Sequence, residues 1–176
     1  MSNYKSKLSG IKAFAFDVDG VFTDGSVLVT ENGDLLRMHN AKDGFSVRMA
    51  VMMGYPVAII TGGVSSSIVS RFLQLGVDRK DIYTGSHVKL PDFMDFCNRH
   101  KLSPKEVLFM GDDIPDIPVL MECGLPSAPS DAVTGVREIC DYISLYPGGK
   151  CCVRDIIEQT LRIQGKWNLS LVAYSG

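Results

Sequence analysis

The run Ala13-Phe14-Ala15-Phe16-Asp17-Val18-Asp19-Gly20 joins four apolar residues directly to two carboxylates and a glycine. An apolar run without polar alternation is typical of a strand buried on both faces, as in a parallel α/β sheet. Ligands of such sheets bind beyond the carboxyl ends of the strands. We therefore expect Asp17 and Asp19 at the mouth of a cleft, where a divalent cation would relieve their mutual repulsion. This run alone also allows a second interpretation, in which both acids only cap the following turn.

Similar apolar runs recur along the chain and alternate with amphipathic segments. The apolar runs predict buried strands over residues 11–17, 56–60, 81–84, 106–110, 126–128 and 142–145. The amphipathic segments predict helices over residues 45–53, 65–75, 92–100, 132–139 and 153–163. This alternation indicates an α/β fold with a doubly wound, mostly parallel, Rossmann-like sheet. We expect a single domain over residues 1–176, with a C-terminal tail from about residue 164.

A hairpin is predicted directly after the acidic run, over about residues 25–39. Two β-prone segments flank Glu31-Asn32-Gly33 there. Asn-Gly between two such segments is a strong hairpin signal. Because the hairpin follows the acidic loop, we expect it to project over the cleft.

Composition and charge argue against several classes of function. The 176 residues are 45% hydrophobic and 22% charged, with a net charge of −2, which gives no sign of nucleic-acid binding. No apolar run approaches the roughly 18 residues of a membrane span, and the polar first ten residues lack the apolar region of a signal peptide. The five cysteines are odd in number and form no C-x-x-C motif. This usage argues against a disulfide framework or structural zinc and for a reducing cytoplasm.

Polar groups also follow two other predicted strands. Thr61 precedes Gly62-Gly63 at the predicted start of a helix. A hydroxyl group beside the free backbone N–H groups of a helix start is typical of an anion site. Glycine-rich turns are also ordinary connections between a strand and a helix. Asp112, Asp113 and Asp116 follow the fourth predicted strand. They could simply cap the next helix, but a cap needs one acid rather than three. An oxygen-ligand site for Mg²⁺ explains the excess better.

These groups compose a site for phosphoryl transfer. Asp17 would attack phosphorus and form an aspartyl-phosphate, while Asp19 would give a proton to the leaving alcohol and then take one from water. Lys89 lies in a predicted loop at the same edge of the sheet; a lone lysine is most often a solvated surface charge, but this position favours a phosphate partner. Thr61, the N–H groups of the Gly62-Gly63 turn and Lys89 would hold the phosphate oxygens, with Mg²⁺ between nucleophile and phosphate.

The same residues resemble a known family. In order, the four motifs of the haloacid dehalogenase (HAD) superfamily phosphatases are similar to Asp17-Val-Asp19-Gly20, Thr61, Lys89 and Gly111-Asp112-Asp113-x-x-Asp116. Over roughly residues 8–165 the chain also resembles the 3-deoxy-D-manno-octulosonate 8-phosphate (KDO 8-phosphate) phosphatases. The segments that carry this closer resemblance are 17–25, 40–44, 59–62 and 148–155, together with Arg71.

The resemblance implies a HAD core without a cap domain, which hydrolyses KDO 8-phosphate for the synthesis of lipopolysaccharide precursors. It implies a homotetramer in which hairpins pack together and neighbouring subunits cover each active site. Mg²⁺ would be held by Asp17, Asp112 and the backbone carbonyl of Asp19, with Asp113 and Asp116 supporting the metal and its waters. Substrate contacts carry over to Asp19, Asn40, Ala41, Lys42, Asp43, Gly44, Arg48, Arg71 and Lys89.

The chain departs from the family pattern at two places, and the first of them affects the choice of substrate. Many members have an arginine after the Thr-Gly pair, where this chain has Gly63, and Cys151-Cys152 replace small residues. A relative that acts on the nine-carbon analogue, 2-keto-3-deoxynononate 9-phosphate (KDN 9-phosphate), or on another sugar-acid phosphate is therefore an alternative. A receiver-type phosphoacceptor domain combines similar groups, but it carries its acid pair after the first strand and its phosphorylated aspartate on a later one. In a third alternative the chain is a catalytically dead scaffold, but all four motif positions keep the required side chains.

Overall fold

The computed structural model describes residues 4–167, and its strands confirm the predicted α/β class. Within this range the strands are β1 (Ala13–Phe16), β2 (Leu28–Val29), β3 (Leu35–Leu36), β4 (Val57–Thr61), β5 (Ile82–Thr84), β6 (Val107–Met110), β7 (Leu125–Ala128) and β8 (Tyr142–Ile143). Six of them form one sheet in the order β5-β4-β1-β6-β7-β8, and all neighbours in it are parallel. β1 therefore lies inside the sheet between β4 and β6.

Helices cover both faces of this sheet. The α-helices are α1 (Tyr4–Leu8), α2 (Ala41–Met52), α3 (Ser66–Gln74), α4 (Lys89–Arg99), α5 (Ile117–Glu122), α6 (Thr134–Arg137) and α7 (Cys152–Ile163). Successive residues of a strand point to opposite faces. Phe14 and Phe16 accordingly pack into a cluster with residues of α2, α3 and α7, whereas Ala13 and Ala15 belong to a second cluster with residues of α4 and α5. No helix within residues 4–167 is long and apolar enough to cross a membrane.

Two helix starts differ from the prediction. α2 begins at Ala41 rather than near residue 45, because the side chain of Asn40 caps it and accepts a hydrogen bond from the Lys42 N–H at 2.8 Å. α4 begins at Lys89, three residues before the predicted start. The prediction took Pro91 as the beginning of the helix, but the whole first turn of a helix tolerates proline, since its N–H groups have no intrahelical partner. Lys89 is therefore a helical residue and not a loop residue.

The hairpin forms as a separate two-stranded sheet after β1. β2 and β3 are antiparallel and pair Leu28 with Leu36 and Val29 with Leu35. Each strand has only two residues, fewer than the predicted segments. The four apolar side chains are exposed, from 45% at Leu35 to 66% at Leu28. The predicted tail from residue 164 lies mostly outside the described residues.

Candidate active site

The carboxyl ends of β4, β1 and β6 meet at a pocket of about 380 Å³. We call it the strand-end pocket. All the residues predicted to bind phosphate or metal line it: Asp17, Asp19, Thr61, Gly62, Lys89, Asp112, Asp113 and Asp116. The prediction that these side chains come together at one edge of the sheet is thus confirmed by geometry.

Asp17, Asp112 and Asp116 bring carboxylate oxygens within 4.8 Å of one another. The Oδ1 atom of Asp112 is buried and accepts no hydrogen bond from the described residues, whereas the buried Oδ1 atom of Asp17 faces the Lys89 ammonium at 3.0 Å. Burial raises the pKa of Asp17 to about 7, and burial together with the charge of Asp17 raises the pKa of Asp112 to about 8. Carboxylate oxygens are the hard ligands that Mg²⁺ takes in proteins, and one or two carboxylates usually suffice. The site therefore fits a divalent cation.

The loop after β1 approaches Asp112 closely because residue 20 is glycine. Gly20 has a φ of +83°, and a Cβ on it would lie 2.0 Å from Asp112 Oδ2. Any side chain at this position would displace the carboxylate and would also strain the backbone.

The side chains of Asp113 and Asp116 accept hydrogen bonds from backbone N–H groups of the turn after β6, as expected if these acids serve as caps, whereas no such bond is seen for Asp112 among the described residues. Asp116 is fully buried, and its Oδ2 accepts hydrogen bonds from the backbone N–H groups of Asp112 at 2.9 Å and Asp113 at 3.2 Å. Asp113 is exposed and accepts a hydrogen bond from the Ile114 N–H at 2.7 Å. The acid in excess of the caps is therefore Asp112, whose carboxylate faces Asp17.

Lys89 is a buried cation of the strand-end pocket rather than a surface charge. Its side chain is 5% exposed, and its Nζ lies 3.0 Å from Asp17 Oδ1 and 2.6 Å from Asp116 Oδ1. Burial alone would lower the pKa of Lys89, but the two carboxylates outweigh burial and raise it. The ammonium is thus fixed beside the candidate nucleophile by a second, fully buried acid.

The turn after β4 differs from the expected helix-end anion site. α3 begins at Ser66 with Ser65 as its cap, so the Gly62-Gly63 turn does not open the helix. The Gly63 N–H instead donates to the Thr61 hydroxyl at 3.2 Å. Thr61 is buried and keeps its place in the pocket.

Ser86 is a pocket residue that the sequence analysis did not identify. It is 5% exposed, and its hydroxyl has no hydrogen-bond partner among the described residues. Its backbone N–H donates to the Thr61 carbonyl at 2.9 Å, which places it beside the end of β4. Its position three residues before Lys89 is the signal that could have identified it.

Asp19 has a different partner from the other acids. Arg37, which follows β3, donates from Nε to Asp19 Oδ1 at 2.6 Å and from Nη2 to Asp19 Oδ2 at 3.0 Å. Asp19 is not part of the Asp17–Asp112–Asp116 cluster. The structure thus separates the side chains of Asp17 and Asp19, and it adds Arg37, which the sequence analysis did not single out.

Residues 40–44 do not line the strand-end pocket. Two of them, Asn40 and Asp43, contact the backbone around the start of α7 instead. Asp43 is fully buried and accepts hydrogen bonds from the backbone N–H groups of Cys151 at 3.1 Å and Arg154 at 2.8 Å. Burial raises the pKa of Asp43, and these donors partly offset the effect. The Asn40 amide donates to the Gly149 carbonyl at 3.1 Å. These contacts fix the start of α7 to α2.

The other residues that the resemblance assigns to substrate also lie outside the strand-end pocket. The Arg71 guanidinium lies over Gly44, where a Cβ would be 2.4 Å from Nη2. Arg48 is exposed on α2, and Lys42 lines a separate cavity of about 540 Å³ along α7. Their contact with substrate stays a prediction.

Comparisons with known proteins agree with this geometry. No protein-family model matches the chain. The 3-deoxy-D-manno-octulosonate 8-phosphate phosphatase KdsC of Escherichia coli K12 is 34% identical over 161 residues, which are 92% of this chain and 85% of that protein. The structure of such a phosphatase from Moraxella catarrhalis, in complex with a magnesium ion, a phosphate ion and KDO, is 27% identical, with a TM-score of 0.91 over 99% of each chain. A cobalt-bound phosphatase from Haemophilus influenzae is 30% identical, with a TM-score of 0.86 over 90% of this chain and 92% of that chain.

Proposed function

Since the chain belongs to the KDO 8-phosphate phosphatases of the HAD superfamily and is a phosphatase, we propose that it hydrolyses KDO 8-phosphate to KDO and phosphate with the help of Mg²⁺. The observation that carries this proposal is the meeting of the buried Asp17 and Asp112 carboxyls beside the fixed ammonium of Lys89, with Asp112 Oδ1 free of any hydrogen-bond donor among the described residues. The M. catarrhalis relative, whose structure contains magnesium, phosphate and KDO, supports it. KDN 9-phosphate is the second candidate substrate, because one additional CHOH group changes the demand on the pocket only slightly.

Asp17, Asp112 and the backbone carbonyl of Asp19 would hold the metal, and Asp113 and Asp116 would support it. Bound Mg²⁺ would neutralise these carboxylates and polarise a phosphate oxygen. Burial of the Asp17 and Asp112 carboxyls makes their ionised forms unfavourable without such a cation, as their raised pKa values indicate.

The residues of the chain would then act in two steps. In the first, the Asp17 carboxylate attacks phosphorus, the bond to the leaving oxygen breaks, and Asp19 gives its proton to that oxygen. In the second, Asp19 takes a proton from water as the water oxygen attacks the aspartyl-phosphate, which releases phosphate and restores Asp17. Thr61, Gly62 and Lys89 hold the phosphoryl oxygens, and the free hydroxyl of Ser86 is placed to assist them.

We further propose that the chain is a single domain that acts in the cytoplasm, and two observations support this. All five cysteines are free thiols, which suits a reducing cytoplasm. Both hydrophobic clusters pack on the same six-stranded sheet, which supports a single domain.

A steady-state comparison of substrates tests the proposed function. We expect the highest kcat/KM for KDO 8-phosphate, a lower value for KDN 9-phosphate, the lowest values for common hexose phosphates, and loss of activity with a chelator. The Asp17→Asn variant, purified in the same way, reports any contaminating phosphatase. A hexose phosphate preferred by a wide margin would contradict the substrate class, and a preference for KDN 9-phosphate would select the second candidate.

We further propose that the chain forms a homotetramer through the hairpin. Contiguous exposed apolar side chains commonly mark interfaces, and Leu28 and Leu36 are 66% and 50% exposed on paired strands. Light scattering should give about four times the 19.3 kDa chain mass, and the double change Leu28→Ser and Leu36→Ser should lower it. The control is Leu145→Ser, which removes an 89%-exposed leucine outside the hairpin. A monomeric wild-type protein would refute the proposal.

A further inference from the structure

The hairpin places one charged side chain, Arg37, against Asp19, which lines the strand-end pocket. Arg37 is only 5% exposed at its side chain, although the neighbouring hairpin residues Leu36 and Met38 are 50% and 87% exposed. Its Nε and Nη2 donate to the two oxygens of Asp19, and its Nη1 donates to the Leu35 carbonyl at 3.3 Å. Two parallel N–H donors on one carboxylate fix its plane as well as its position.

The position of the guanidinium depends on Gly63. A Cβ on this residue would lie 3.1 Å from Arg37 Nη2 and 3.5 Å from Asp19 Oδ2. The guanidinium therefore packs against bare backbone immediately after the Thr61-Gly62 pair. A Cβ at position 63 would require the guanidinium, and Ile68 Cδ1 at 3.2 Å, to give way by a few tenths of an ångström.

Asp19 needs such a partner to keep one orientation. Its side chain is 33% exposed, so water competes for its oxygens. Lys89, the other cation in the pocket, pairs with Asp17 and Asp116. Within residues 4–167, the ion pair of Asp19 is the one with Arg37.

We propose that Arg37 is a positioning residue for the reaction, which orients the Asp19 carboxyl toward the leaving oxygen and the attacking water from a site that glycine at position 63 leaves open. The inference rests on the proposed function, because it requires Asp19 to move the proton. A catalytic group misplaced by about 1 Å can cost on the order of 100-fold in rate. Loss of Arg37 should therefore lower kcat and should act only through Asp19.

A double-mutant cycle on kcat for KDO 8-phosphate tests this dependence. Arg37→Ala should lower kcat by about 10- to 100-fold with little change in KM. Arg37→Lys should recover part of the lost kcat, since an ammonium group can pair with one carboxylate oxygen but cannot donate two parallel hydrogen bonds to both. In the Asp19→Asn background, Arg37→Ala should cause no further loss. Gly63→Ala should reproduce part of the effect and should cause no further loss in the Asp19→Asn background, so this second cycle replaces the first if Arg37→Ala does not fold.

The matched control is Arg162→Ala, because Arg162 also donates two hydrogen bonds to one carboxylate, from Nε and Nη2 to Glu158 Oε1 at 2.9 and 2.6 Å, on α7 outside the strand-end pocket. It should leave kcat unchanged. Losses that multiply across the Arg37 and Asp19 variants would overturn the inference, as would a raised KM with unchanged kcat, which would indicate direct substrate binding. These outcomes leave an active wild-type phosphatase, whereas a wild-type protein without phosphatase activity would overturn the proposed function and this inference together.

Discussion

Asp17→Asn lowers Mg²⁺-dependent phosphate release by more than about 10³-fold and leaves the protein folded, if Asp17 is the nucleophile. An amide does not attack phosphorus to form the acyl phosphate. The change keeps the shape of a side chain that is only 7% exposed, and it removes a buried acid whose pKa burial raises to about 7. Lys89 keeps Asp116 as a partner at 2.6 Å. Phosphate release and thermal denaturation, measured on the same preparation, check both parts.

The control for this variant is the same substitution at an exposed position of the hairpin. Asp34→Asn lies at the tip, outside the strand-end pocket, and should keep wild-type activity. Turnover retained in Asp17→Asn, or a phosphoenzyme trapped on it, would show that another group attacks phosphorus.

The metal-free protein should lose stability as pH rises from about 4 to about 8, and Mg²⁺ should reverse this loss. Burial raises the pKa of Asp17 to about 7 and of Asp112 to about 8, from an ordinary value of 3.8. Between these values the folded state binds more protons than the unfolded chain, so the free energy of unfolding falls with rising pH. Mg²⁺ binds the ionised carboxyls and should raise the Tm at pH 8 far more than at pH 5. At about 100 times its Kd the ion would contribute about 2.7 kcal/mol.

Asp112→Asn separates the metal from the fold in this experiment. The variant should show a shallower decline of Tm with pH, a much smaller response to Mg²⁺, and little phosphatase activity. Measurements of Tm at increasing Mg²⁺ concentration, at pH 5 and at pH 8, test these responses. The Asp34→Asn variant is the control and should respond to Mg²⁺ as the wild-type protein does. A full Mg²⁺ response in Asp112→Asn would remove Asp112 from the metal site.

The buried strands and the edge at which their polar ends meet could be predicted, because they depend only on local pattern and on the common direction of parallel strands. The apolar runs located β1, β4 and β6, and their shared direction brought Asp17, Thr61 and Asp112 to one edge. Local pattern does not reveal contacts between distant segments. Arg37 reaches Asp19 only because the hairpin turns back over the loop after β1, and Asp43 meets the start of α7 across 111 positions. Both side chains look like solvated charges until the tertiary structure is known.

The hairpin could link the specific activity of the enzyme to its concentration. A two-stranded hairpin is marginally stable on its own, so the ion pair that orients Asp19 also holds the hairpin against the core. Coupling of this kind is reciprocal. A tetramer that buried Leu28 and Leu36, as proposed above, would therefore also reduce the motion of the Asp19 carboxyl. Specific activity would then follow mass action and would fall as dilution dissociated such a tetramer.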